Sequence, residues 1–336
     1  GFSMLSIFVV VESWLNDRAT NRTRGKVLSI YMVITFTCLA LGVLLLNFNN
    51  PKEYEPFILV SLLLSIALIP ILLTKRKPPT FKKISSIKIK ELYKTSPLGT
   101  VSMLCTGFLH PAIFTMGAVY GALMNFSILE ISLYLSLITI SGAVFQWPIG
   151  YLSDRYDRRL VIIITALLGA IFALLCFFSV SISPDFINLS PDSKTIFQHI
   201  SNHRMLFYIF ISLYAGMCLP LFSLNLAYVN DFLPKEKFVS AGAGLQLIFG
   251  LSAMPAPFLC SFFMKEIGPN GFFVFLFIFQ IIIFIFGVYR MLRRSNVPVA
   301  ENDNTFTPLP RNITPVGIQL DPDTGVDLSN PEKQAK

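Results

Sequence analysis

Eight long apolar runs leave this chain little choice of architecture. They are Lys26–Phe48, Pro56–Thr74, Leu98–Asn125, Ser127–Ile149, Leu160–Ser181, Met205–Val229, Phe238–Met264 and Gly271–Met291. About 20 apolar residues span a bilayer as a helix, and a helix satisfies its own backbone polar groups where water cannot. Composition agrees: 14% of the residues are charged and 54% hydrophobic, against about 25% charged in soluble domains. The expected fold class is therefore an all-α integral membrane protein. The net charge of +8 would suggest nucleic acid in a soluble protein. Here it reads as a bias of basic loops toward one side of the membrane, so no nucleic-acid partner is expected. Cys38, Cys105, Cys176, Cys218 and Cys260 lie in five different apolar runs without metal-ligand or redox spacing, as small packing residues do.

The chain opens inside an apolar stretch, Gly1–Trp14, with no charged leader and no cleavage site. As a helix this stretch would measure about 21 Å, short of a bilayer core. It reads as the end of a helix whose beginning is absent, so the chain is expected to be N-terminally truncated.

Basic residues crowd alternate loops. Arg18, Arg22, Arg24 and Lys26 follow the opening stretch. Lys75–Ser96 is richer still, and Arg155, Arg158 and Arg159, then Lys235 and Lys237, then Arg290, Arg293 and Arg294 continue the series. The intervening loops hold only Lys52, Lys194, Arg204 and Lys265. The rich set is expected to face the cytoplasm, and the C-terminus with it. Lys75–Ser96, with Pro78-Pro79, divides the chain. Within it Ser85–Leu92 reads either as a short amphipathic helix on anionic lipid or as solvated linker. The tail 295–336, rich in Pro, Asn and Asp, is expected to be disordered; the alternative is that Phe306–Asp321 lies extended along the cytoplasmic face.

Gly150–Arg159, GYLSDRYDRR, sits between two of the apolar runs. Gly150 allows close backbone approach, Asp154 can meet a helix N-terminus, and Arg155, Arg158 and Arg159 surround that acid with donors. The plain alternative is a basic orientation signal. The stretch resembles the cytoplasmic signature of the major facilitator superfamily (MFS), G-x-L-x-D-R-x-G-R-R/K, through Gly150, Leu152, Asp154, Arg155, Arg158 and Arg159. Asp157 departs, since the family usually has Gly there. Glu12–Ser29, ESWLNDRATNRTRGKVLS, further resembles the helix 4–5 turn of a bacterial branch of that superfamily.

The resemblance implies two six-helix bundles joined by a cytoplasmic linker. On that template residues 1–74 are a partial N-terminal bundle, from the end of helix 4 through helices 5 and 6. Residues 75–96 are the linker, 97–294 a complete C-terminal bundle and 295–336 the tail. Asn16-Asp17 and Asn230-Asp231 then occupy equivalent positions of two repeats. The resemblance also implies a latch: Asp154 should approach the helix beginning at Gly25–Leu28, and Arg155 or Arg158 should pair with Asp231. The gating set is thus Gly150, Asp154, Arg155, Arg158, Arg159, Asp231 and Asp17.

Solute and proton candidates are polar residues inside the apolar runs: His110, Asn225 and Gln246, with Gln146 nearer one end. His110 precedes Pro111, which should kink the helix and free a carbonyl. A histidine at that depth either couples protons or makes a helix–helix hydrogen bond. Small residues Ala241–Gly244, then Gly250, Pro255 and Pro257, suit either a bending gate or close packing. No nucleophile–base or metal constellation is visible; His199 and His203 have helical metal spacing but no acidic partner. No enzyme activity and no cofactor are expected. The resemblance implies secondary active transport of a small solute in a bacterial inner membrane, with protons as a candidate coupling partner. The alternative is a non-transporting remnant or scaffold.

Overall fold

The computed structural model describes residues 2–18, 24–47, 53–73, 88–181, 202–234, 237–293, 306–310 and 313–321. All regular elements among them are helical. In chain order they are α1 (Phe2–Arg18), α2 (Arg24–Leu44), α3 (Glu55–Leu72), α4 (Ile89–Thr95), α5 (Pro97–Pro111), α6 (Gly117–Leu123) and α7 (Ile128–Arg155). Then follow α8 (Arg158–Ser181), α9 (Asn202–Cys218), α10 (Leu221–Asn230), α11 (Phe238–Ala253), α12 (Ala256–Ile267) and α13 (Gly271–Arg293).

Seven helical units among the described residues are long and apolar enough to cross a membrane: Lys26–Leu44, Pro97–Leu123, Ile128–Arg155, Arg158–Val180, Met205–Asn230, Phe238–Ile267 and Gly271–Arg293. The apolar stretch of α3, Glu55–Ile69, is shorter. The protein is a multi-pass membrane helical bundle. Large apolar side chains left on the outside, such as Phe57, Leu62, Leu64, Val144 and Phe258, are exposed, and here they are surface for lipid.

Three of the spanning units are interrupted, each at a proline. After Pro111 the chain makes a π turn, Ala112–Met116, before resuming as α6. Residues 219–220 separate α9 from α10, and Met254–Pro255 separate α11 from α12. Proline has no N–H for the helical ladder and clashes with the preceding turn. The sequence reading located the first and third sites but treated Met205–Val229 as continuous. Pro220 inside that run is the reason it is not.

Helix α8 packs against α9 and α13, α5 against α11, and α7 against α9. Their shared core is closed at one end by aromatic rings. Tyr120 lies 5.4 Å from Phe272 and 5.0 Å from Phe273, centroid to centroid, with Phe126, Phe207 and Tyr134 around them. At that end Ser127 and Glu130 form a reciprocal capping box that starts α7. Helix α2 lies against α7. It buries Leu28, Met32 and Ala40, one face at helical spacing, and Ser136 Oγ donates to the Ala40 carbonyl at 3.1 Å.

Two expectations change here. The charged hairpin between the two apolar runs is tighter than the ten residues Gly150–Arg159: α7 continues to Arg155, Tyr156 and Asp157 make the turn, and α8 begins at Arg158. The tail is not disordered throughout. Residues 306–310 and 313–321 pack against the opposite end of the bundle from the aromatic cluster, ending in a 3-10 turn, Gly317–Leu320. Leu309, Ile313, Ile318 and Leu320 are buried there with Leu28, Leu92, Phe222, Leu226, Ala241 and Leu245. The tail has too few apolar residues for its own core, but it completes one that the helices begin. Most of Lys75–Ser96 lies outside the described residues. Its described part, α4, turns Leu92 into this same core.

Candidate functional site

The signature residues form a charged cluster at the end bearing the α7–α8 turn. Arg158, the first residue of α8, is buried, with a side chain only 3% exposed. Its guanidinium pairs with Asp231 at the end of α10, donates to Asp154 Oδ1 at 2.9 Å, and donates to the Ala227 carbonyl at 3.3 Å. One cation thus ties α7, α8 and α10 together. Such a buried group needs this full set of acceptors, because desolvation of an unpaired charge costs several kcal/mol.

Arg155 takes no part in that network; its guanidinium stands 4.2 Å over the Tyr151 ring. Arg159 is also buried and makes paired contacts with Asp157, at 3.3 and 3.2 Å from Nε and 3.0 Å from Nη2. Asp157 additionally accepts from the Arg159 backbone N–H at 3.0 Å. It is the N-cap of α8, satisfying an N–H that the helix start leaves open. Asp157 itself is not among the residues with positive φ, so the turn does not need the flexibility of the family's usual glycine.

Asp154 has a side chain one-third exposed. Besides Arg158, its Oδ1 accepts from the backbone N–H of Phe306 at 2.7 Å. Its hydrogen bonds therefore run to α8 and the tail. Toward α2 it lines a cavity of about 470 Å³ shared with Ser29, Met32, Phe36, Gln146 and Trp147. The α2 residues that line it begin at Ser29, one turn beyond the start of the Gly25–Leu28 stretch expected to meet this acid. The backbone of Asp17 belongs to α1, but its side chain lies outside the described residues, as do His199 and the side chain of His203.

A second group sits deeper. His110 is the penultimate residue of α5, and its Nε2 lies 3.1 Å from the Cys218 carbonyl, two residues before Pro220. A carbonyl only accepts, so this bond needs the proton on Nε2. The imidazole stands edge-on to Phe249 of α11, with ring centroids 5.7 Å apart. The histidine thus touches the other two interrupted helices. One turn back on α5, Thr106 Oγ1 accepts from Asn225 Nδ2 at 3.1 Å and donates to the Ser102 carbonyl at 2.7 Å. Asn225 Oδ1 is buried and accepts no hydrogen bond among the described residues. Gln246 is half-buried on α11, one turn before Phe249.

Sequence reasoning missed Glu12, Tyr31, Ser223 and Thr106. Glu12 is fully buried. It accepts from Tyr31 Oη at 2.9 Å and from the Thr314 backbone N–H at 2.8 Å, and the Thr314 hydroxyl donates to it as well. The signal was available: Glu12 is the one acid in the apolar opening stretch, and an ionisable residue there calls for a partner. Ser223, Thr106 and Tyr31 carry no comparable signal, since hydroxyls are common in membrane helices and bond to their own backbone.

The profile of the Major Facilitator Superfamily matches residues 1–191 and, in a second alignment, 148–321. The chain is 23% identical over 279 residues to an uncharacterised MFS-type transporter of Yersinia enterocolitica, covering 82% of this chain and 66% of that one. It is 25% identical over 272 residues to the MFS-type transporter YfkF of Bacillus subtilis, covering 79% and 64%. It is 28% identical over 179 residues to YcaD of Escherichia fergusonii, covering 52% and 47%. The chain therefore spans less than two thirds of the length of these relatives. No solved structure is a significant match. Signature cluster, interrupted helices and profile agree, and the chain belongs to the major facilitator superfamily.

Proposed function

We propose that this protein is a secondary active transporter that moves a small solute across a bacterial inner membrane by alternating access, with the Gly150–Arg159 end and the C-terminus on the cytoplasmic side. The observation that carries the reading is the meeting of three interrupted helices at His110, through Cys218 and Phe249. Interrupted membrane helices leave backbone groups free for a bound solute and are tolerated where they line a site. Asn225 Oδ1, buried and without a donor among the described residues, is a ready acceptor for a solute hydroxyl or amine. Thr106 and Gln246 extend that polar lining. The transporters it resembles are named MFS-type, which supports transport over enzymatic chemistry but leaves the solute open.

His110 is the proposed coupling group. With Nε2–H held by the Cys218 carbonyl, an incoming proton would add at Nδ1, converting a neutral ring into a cation between helix ends. The basic stretch Lys75–Ser96 would rest near anionic lipid. The test is flux of a solute panel in proteoliposomes containing either this chain or a chain extended to the length of its relatives. A transporter gives saturable flux that an imposed pH gradient accelerates, and His110→Gln removes that acceleration while exchange persists. If flux appears with the extended chain alone, this chain does not transport by itself. If neither gives flux, the scaffold reading stands.

A further inference from the structure

The tail segment 306–321 does more than fill space. Its first residue, Phe306, donates its N–H to Asp154 at 2.7 Å and lays its ring on Gly150, where any Cβ would strike it. Ser223 of α10 bonds twice to Leu309, accepting from its N–H at 3.0 Å and donating to its carbonyl at 3.2 Å. Thr314 donates both its N–H and its hydroxyl to Glu12 of α1. Gly317 lies against the same carboxylate, and Ile318 covers Gly242 of α11. Thr307 Oγ1 donates to Asp321 at 2.9 Å, closing the segment on itself. The segment is thus fastened to α1 on one side and to α7, α10 and α11 on the other.

The fastening is specific. Glu12 is buried, and two of the groups that satisfy it are on Thr314. Glycines stand on the helices, at Gly150 and Gly242, where the segment comes closest. A chain lying loosely on a surface needs neither feature. Together with the α2–α7 contact, it ties the N-terminal helices to the C-terminal bundle at this end.

We infer that residues 306–310 and 313–321 are a strap that holds the charged end of the protein closed and must leave before that end can open. This rests on the alternating-access reading. Release breaks the Thr314–Glu12 and Leu309–Ser223 bonds and uncovers Leu226, Ala241 and Leu245. It also frees Asp154 from Phe306, so strap and signature cluster open together.

The test is hydrogen exchange of the full chain in nanodiscs, which needs no known solute. In Leu309→Asp/Ile318→Asp, amides of residues 221–245 should exchange about tenfold faster, while residues 118–135 in the aromatic end keep their rates. Unchanged exchange in residues 221–245 would overturn the strap. Equal acceleration at both ends would mean general unfolding of that variant, and Ser223→Cys/Leu309→Cys then decides. Oxidation should link the pair and slow exchange in 221–245 below that of the reduced form, and reduction should reverse it. A pair that never links shows that the segment does not dock here. A pair that links without slowing exchange shows a static seal. Either result overturns the strap without bearing on solute flux, whereas a chain that fails only in flux leaves these outcomes readable.

Discussion

At the scale of single residues, Arg158 bears the greatest load. It is buried and serves two carboxylates and a carbonyl. Removing one partner of such a pair costs about 3–5 kcal/mol, because the other charge stays buried and alone. Arg158→Ala should therefore lower the unfolding temperature in detergent sharply. Arg158→Met/Asp231→Asn should recover part of the loss, since it removes both sides. A double variant no more stable than Arg158→Ala would show that the pairing with Asp231 is incidental. Asp154→Asn should destabilise less, because that side chain is one-third exposed and an amide oxygen still accepts from Phe306. The identity of Arg158 as a signature residue was legible in the sequence. Its choice of Asp231 over Arg155 making that contact was not, because Arg155 and Arg158 are three residues apart and only the α7–α8 turn decides which one points inward.

At the scale of elements, the turn between α7 and α8 carries its own prediction. Asp157 stands where the family has glycine, and it caps α8 through the Arg159 N–H. Loss of an N-cap to alanine costs about 0.5–2 kcal/mol, and replacement by glycine only a few tenths. Asp157→Gly should thus be milder than Asp157→Ala in thermal unfolding, although both also lose the contact with the Arg159 guanidinium. Equal losses would assign the effect to that ion pair instead of the cap. Helix positions were readable because apolar runs and bilayer thickness match. The breaks were readable only where a proline was weighed individually: Pro111 and Pro255 were, and Pro220 was not. The tight hairpin was legible but its bounds, Tyr156–Asp157, were not, because charged residues at a helix end look like loop when read along the chain.

At the scale of the whole molecule, the face that closes is built from pieces far apart in sequence. Glu12, Arg158, Ser223 and Thr314 meet there, and no local pattern announces it. Leu309, Ile313, Ile318 and Leu320 are spread among prolines and polar residues without helical period, so the tail reads as disordered until the helices offer it a surface. Orientation has a direct check. An impermeant thiol reagent applied outside cells should label Ser193→Cys and spare Tyr156→Cys, which is exposed at the α7–α8 turn; permeabilisation should expose it. Ser153, in the same region, is buried and would report neither side. The reverse pattern would invert the proposed topology.

The central claim, that flux depends on opening and closing at the charged end, has one decisive measurement. Lys26→Cys/Asp154→Cys places one thiol on α2, a turn before Ser29, and one on α7; Ser29 and Asp154 line the same cavity. Solute flux is then followed in proteoliposomes before linking, after a short bifunctional reagent joins the pair, and after the link is cleaved. The account predicts that linking stops flux and cleavage restores it. Flux that continues undiminished through a completed link would contradict it.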